Sequence, residues 1–203
     1  MQKDHNQQYV FIRSDDDNER LPFLTPDTDT AERRYAESPP VPGSAPLIFE
    51  NGWKNEFAVS NIKEEIADIL FEGVNFVVRD HVRKRLMALE LPGVYLHPAV
   101  YIDGQGVWHE DFWFVAITKE LDCWDRDKST VGRKKLEIGG EVLYNVLTYH
   151  LDGKVLDAIP LENRLLFQMG GTVDGMMTCH QSIAGIFRGN GNSGAVLQPI
   201  ADY

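Results

Sequence analysis

Between Val94 and Thr118 the chain carries two strand-forming runs joined by the turn sequence Asp103-Gly104-Gln105-Gly106, and this pair constrains the fold more than any other stretch. Tyr95, His97, Ala99 and Tyr101 alternate with Val94, Leu96, Val100 and Ile102, the period-two pattern of a strand. The second run, from about Phe112 to Thr118, is apolar on both sides. A strand of that kind must be covered on both faces, so it belongs at the centre of a sheet with helices packed on one side.

The flanking sequence supplies partners. Short strands are expected at Tyr9–Ile12, at Leu47–Phe49 before the turn signal Asn51-Gly52, and near Leu143–His150, Val155–Ile159 and Ala195–Ile200. Ile62, Ile66, Ile69 and Leu70 recur at helical spacing opposite Lys63, Glu64, Glu65 and Asp68, which predicts a helix capped by Asn61 and stopped by Gly73. A second helix is expected from Asp80 to about Leu89, with Val82, Leu86 and Leu89 inward and Arg83, Lys84 and Arg85 outward. Thr178 and Gln181 have capping-box spacing, which predicts a last short helix with Ile183, Ile186 and Phe187 inward and Gly189 as its stop. Strands and helices do not alternate strictly, so the fold class is α+β: a mainly antiparallel or mixed sheet, a few helices on one face, and an extended N-terminal arm. Residues 14–46, rich in Asp, Pro, Ser and Thr, are expected to run over the surface burying little. The organisation expected is an N-terminal strand and acidic, Pro-rich arm over 1–50, packed on an α+β domain over 51–203.

Charge narrows the function classes. With 20 basic and 31 acidic residues the net charge is −11, and residues 1–50 alone hold 10 acidic and 5 basic groups. Nucleic acid binding needs clustered cations, so no nucleic-acid partner is expected. The longest strongly apolar run, Phe112 to Ile117, is far short of a membrane span, and the first eight residues lack the apolar core of a secretory signal; the expectation is a cytoplasmic protein without a membrane partner. Cys123 and Cys179 are far apart in sequence and read as reduced structural thiols.

Motifs that carry chemistry fail on context. Gly189-x-Gly191-x-x-Gly194 follows an expected helix, with nine residues after it, so it reads as a turn and not as a dinucleotide fingerprint. His109-Glu110 begins like a zincin motif, but Trp113 stands where the second histidine is required. Asp125-x-Asp127-x-Ser129 lacks the glycine and glutamate of a calcium loop, Thr130 and Leu136 occupying those positions. Ser60-x-x-Lys63 has neither companion motif of a penicillin-binding site, and no Gly-x-Ser-x-Gly elbow occurs. No catalytic residue, metal ligand or cofactor is expected.

One segment survives. Glu120-Leu121-Asp122-Cys123-Trp124-Asp125-Arg126-Asp127-Lys128-Ser129 alternates apolar residues with carboxylates. Strand alternation would set Leu121 and Cys123 inward and Asp122, Trp124 and Arg126 outward. A tryptophan among acids is a good interface anchor if exposed and an ordinary core ring if buried, and both readings stand. Leu121 through Ser129, then Leu166-Phe167-Gln168-Met169, then the closing helix followed by Asn192-Ser193-Gly194, together resemble the Immunity protein 11 family of bacterial polymorphic toxin systems. The resemblance covers roughly residues 60–203 and rests on the order of short motifs. It implies a strand at Leu166–Met169, where Leu161, Leu165, Leu166 and Met169 by themselves also fit a helix. It also implies a non-enzymatic antidote that occludes the active site of a cognate toxin, one with a basic surface to match the charge. The partner-facing candidates are Asp122, Trp124, Asp125, Asp127, Trp108 and Asp111. Two alternatives remain: an enzyme or ligand-binding domain whose cleft gathers His97, His109, His150 and Asp125, or an adaptor of a secretion apparatus.

Overall fold

The computed structural model describes residues 4–36, 38–189 and 191–203. Along the chain run β1 (Tyr9–Ser14), β2 (Leu24–Pro26), α1 (Thr28–Ala31), β3 (Leu47–Asn51), α2 (Lys54–Val59), β4 (Ile69–Glu72), β5 (Asn75–Arg79), α3 (Asp80–Met87), β6 (Val94–Ile102) and β7 (Trp108–Ile117). The second half adds β8 (Glu120–Leu121), β9 (Thr130–Ile138), β10 (Glu141–Thr148), α4 (Gly153–Asp157), β11 (Leu166–Met169), β12 (Met177–His180), α5 (Gln181–Ala184) and β13 (Ala195–Pro199). The protein is α+β, with sheet predominating.

The strands form a six-stranded sheet in the order β2-β3-β6-β7-β5-β4, a five-stranded sheet in the order β13-β1-β12-β11-β8, and the separate ribbon β10-β9. The doubly apolar run became β7, which lies between β6 and β5, as its composition requires. Alternation splits the core into three layers. One face of the six-stranded sheet carries Phe49, Ala99, Tyr101, Phe112 and Phe114. The middle layer takes Val10 and Ile12 from β1, Ile69 and Phe71 from β4, Phe76 and Val78 from β5, together with Val82 and Leu86 of α3 and Ile183, Ile186 and Phe187 after β12. The far layer holds Tyr9, Phe11, Trp124, Tyr149, Phe167 and Met169.

Residues 1–50 are woven into both sheets: β1 lies between β13 and β12, while β3 pairs in parallel with β6. The arm is also less detached than its composition suggests. Leu21, Leu24 and Tyr35 are buried in the first core layer, and Asp27 caps α1 by accepting from the Thr30 amide at 2.8 Å.

Three local expectations are corrected, and one strand, over residues 130–138, is added. Residues 61–68 are irregular, since α2 ends at Val59 and Asn61 takes a left-handed conformation at φ 52°. Ile69-Leu70-Phe71 instead pairs with Phe76-Val77-Val78 across a two-residue turn led by Gly73, because β-branched and aromatic residues on both sides of a turn glycine form a hairpin more readily than one turn of helix. Val155–Asp157 lies in α4, whose start is fixed by the Asp152 side chain accepting from the Lys154 amide at 2.8 Å. Residues 130–138 are a strand, turned back on β10 by Gly139 and Gly140, both at positive φ. Thr178 is buried within β12, and His180 caps α5 in its place, accepting from the Ser182 amide.

Within the Gly189-to-Gly194 string, Asn192 and Ser193 stitch the sheets together. The Asp68 amide donates to the Asn192 carbonyl at 3.0 Å and the Ile69 amide to the Ser193 carbonyl at 2.9 Å. Gly194, at φ 72°, lies where any Cβ would collide with the Ile69 carbonyl. Both cysteines are free and buried, and burial pushes the Cys123 thiol up to about 12. Among the described residues no helix is long and apolar enough to cross a membrane.

Candidate partner-binding surface

The segment 120–128 closes on itself. After the two-residue β8, which pairs in parallel with β11, the chain turns out of the sheet, and Trp124 forms its next bridge with Leu151. Alternation is broken there, so the neighbours Cys123 and Trp124 both point inward. Trp124 is 2% exposed, with its indole N–H donating to the Gly170 carbonyl at 3.2 Å and Tyr144 and Tyr149 edge-on to the ring. It is a core residue, and the reading of it as an exposed docking anchor is corrected.

The carboxylates of this segment are largely answered from within it. Arg126 forks onto Asp122 while its guanidinium lies 3.9 Å from the centre of the Trp124 ring. The Lys128 ammonium, 2.9 Å away, holds the Asp125 carboxyl below the usual carboxylate range, and the Asp127 amide donates to the same side chain. Asp122, Asp125 and Asp127 do share one shallow cleft with Trp124. Trp108 and Asp111 belong to β7 in the other sheet; Asp111 is paired with Arg79 at 2.5 Å, while Trp108 is 56% exposed.

The histidine cluster of the enzyme alternative is spread over separate hydrogen-bond networks. His97 contacts the Ala45 carbonyl at 3.0 Å beneath the arm, and His109 contacts Asp103 at 3.0 Å in the β6–β7 hairpin. His150 sits against Ser129, with its carbonyl accepting from the Asp125 amide. Among the described residues no group of three or more His, Cys, Asp or Glu is placed to hold a metal ion.

A larger apolar cleft lies elsewhere, where the chain leaving β1 meets the turn after β3. Gly52 allows that turn: its amide donates to the Phe23 carbonyl at 2.8 Å, and a Cβ there would strike the arm at Thr25. The Asn51 side chain then accepts from the Trp53 amide at 2.8 Å, which fixes the next residue over the arm. Trp53 and Phe23 stack with ring centres 5.8 Å apart, yet remain 47% and 40% exposed. Beside them opens a cleft of about 620 Å³ floored by Leu21, Phe57 and Phe71. Asp15, Asp16, Glu19 and Glu56 also line it, and among the described residues no lysine or arginine does. Arg13 lies 3.5 Å from Asp16; among the described residues no cation pairs with Asp15, Glu19 or Glu56.

Trp108 stands at the same end of the six-stranded sheet. β3 runs parallel to β6, and Glu64 accepts from both Asn51 beside Trp53 and the Gly104 amide in the hairpin leading to Trp108. This end thus presents Phe23, Trp53 and Trp108 together with unanswered carboxylates. Sequence reasoning selects Trp108 but reads Asn51-Gly52 only as a turn signal and passes over Trp53; the usable signal is a tryptophan directly after a turn glycine, flanked by the acidic arm.

No protein-family model matches the chain, and no curated protein matches it.

Proposed function

We propose that this protein is a non-enzymatic immunity protein, which binds a cognate bacterial toxin in the cytoplasm and neutralises it by covering the toxin's active cleft. The observation that carries the reading is the cleft at Trp53 and Phe23: two half-exposed rings over a preformed apolar floor, ringed by carboxylates of which Asp15, Glu19 and Glu56 have no cationic partner among the described residues. Aromatic residues in partly enclosed pockets are the usual anchors of protein–protein affinity. Unanswered acids on a chain of net charge −11 raise the rate of encounter with a basic surface and discriminate against acidic ones. The order of motifs that resembles the Immunity protein 11 family points the same way. The chemistry required of this chain is occlusion alone: rings that bury against the toxin and charges that orient it.

The test is co-expression with the product of the adjacent reading frame. Cells producing that protein alone are expected to stop growing, and cells producing both to grow and to yield a stable 1:1 complex. Growth arrest that this chain does not relieve, together with saturable turnover of a small molecule by the purified protein, would overturn the reading.

A further inference from the structure

We infer that the Trp53 cleft receives an arginine of the partner, carried on a short apolar segment, and that this arginine completes a carboxylate–guanidinium–indole sandwich which the fold already builds for itself elsewhere. The inference rests on the reading of this chain as a toxin-binding protein and specifies what enters its cleft.

The model for the missing group lies within the molecule. At Trp124 the guanidinium of Arg126 stacks 3.9 Å from the ring centre and forks onto Asp122. At Trp113 the guanidinium of Arg83 lies 4.1 Å from the ring centre and contacts Asp80 at 2.7 Å. In both places a planar cation uses its face for the indole and its edge for a carboxylate, a division of labour that arginine manages and lysine does not. At Trp53 the indole and the carboxylates are present without the cation. The ring is half exposed, Glu56 and Asp15 line the same cleft, and among the described residues no arginine or lysine lies over the ring.

The shape of the cleft adds the rest of the occupant. Its floor residues Leu21, Phe57 and Phe71 are themselves buried, so the apolar surface is preformed. A volume of about 620 Å³ lies within the range of pockets that enclose a ligand of several side chains. An isolated ammonium or guanidinium would leave that floor wet. A segment bearing arginine with aliphatic neighbours would dry the floor and neutralise the rim together.

The experiment uses the whole protein and four blocked hexapeptides: one with arginine between two leucines, and counterparts with citrulline, lysine or glutamate in the arginine's place. Binding is read from the Trp53 indole resonance and the Asp15 and Glu19 amides in nitrogen–proton correlation spectra at low salt. The arginine peptide is expected to shift these signals and to bind at least about fivefold tighter than the citrulline peptide, with lysine intermediate and glutamate weakest. Trp53→Ala should abolish the shifts at Asp15 and Glu19 while the other three indole signals stay in place, which shows that the variant is folded. Equal binding of the arginine and citrulline peptides, or shifts that survive Trp53→Ala, would overturn the assignment.

A second arm uses the toxin complex. Loss of neutralisation in a folded Trp53→Ala or Glu56→Lys protein supports the cleft, and neutralisation at undiminished affinity overturns it while leaving the antidote reading intact. Failure of the wild-type chain to neutralise any partner, with the peptide titration behaving as stated, would overturn the antidote reading and leave the arginine site supported.

Discussion

Two parts of this molecule place a tryptophan among carboxylates and end in opposite states. Around Trp124 the sequence supplies its own Arg126 and Lys128 within four residues, so charge is neutralised locally and the ring sinks into the far core layer. Around Trp53 the acids come from the arm and from α2, no cation among the described residues lines the cleft, and the ring stays half exposed. Composition hardly distinguishes the two segments. What separates them is whether a basic residue of the same chain reaches the acid beside the ring. A segment that satisfies itself is structural, and one that does not is available to something else.

The sharpest break of this comparison is truncation of each ring. Trp124→Ala should cost about 3–5 kcal/mol of stability in denaturant unfolding, because it removes a fully buried indole and strands the Gly170 carbonyl. Trp53→Ala should change stability by under about 1 kcal/mol and weaken toxin binding by about 2 kcal/mol or more, roughly 30-fold, as read by calorimetry. Comparable stability losses in the two variants would erase the distinction.

Charge reversal sharpens it further. Lysine at Asp15, Glu19 and Glu56 together should slow association about tenfold at low ionic strength, with the difference shrinking in high salt and the dissociation rate nearly unchanged. Reversal of Asp122, Asp125 and Asp127 should slow association less, since Arg126 and Lys128 already screen two of those acids. Stopped-flow mixing over a range of salt measures both.

The smallest effect concerns an acid handled in a third way. Glu72 is partly buried and has no cation among the causes of its shift: burial raises its carboxyl above the ordinary value, partly offset by hydrogen bonds from Tyr35 and Asn75. A group whose folded value is raised adds stability below its unfolded value, near 4.5, and that contribution fades as pH climbs through the folded value. Glu72→Gln keeps an acceptor for Tyr35 without the charge. Its melting temperature relative to wild type should therefore rise between pH 4 and pH 7, by about 1–3 °C, in paired thermal melts.

Strong periodicities were legible in advance. The β6–β7 hairpin, the helix at Asp80 with Val82 and Leu86 inward, and the inward trio Ile183, Ile186 and Phe187 follow from patterns whose burial no competing signal disputes. Errors arose where two local signals conflicted. At Ile62–Leu70 four apolar residues at helical spacing overlapped a hairpin whose second strand lay beyond Gly73, and pairing across the turn prevailed. At β9 the strand has no apolar face, so period-two reasoning had nothing to find, and only Gly139-Gly140 marked the turn. The outward placement of Trp124 fails, and its core alternative holds, because alternation assumes a continuous strand and β8 is two residues long. The Trp53 cleft as a whole was hidden for a different reason: Trp53 after the turn glycine was a local signal, but the wall from the arm ends at Phe23, thirty residues earlier in the chain, and the two meet because Gly52 lets the turn after β3 press against the arm.

The crossing of backbone at Gly194 has a consequence for how the molecule comes apart. Because Asp68 and Ile69 donate to the loop that leads into β13, neither sheet can loosen at that edge without unpairing those two amides from the Asn192 and Ser193 carbonyls. Opening is thereby forced to be concerted. Those two amides should exchange with solvent deuterium only when the entire chain unfolds, and denaturation should follow a single sigmoid whichever tryptophan reports it.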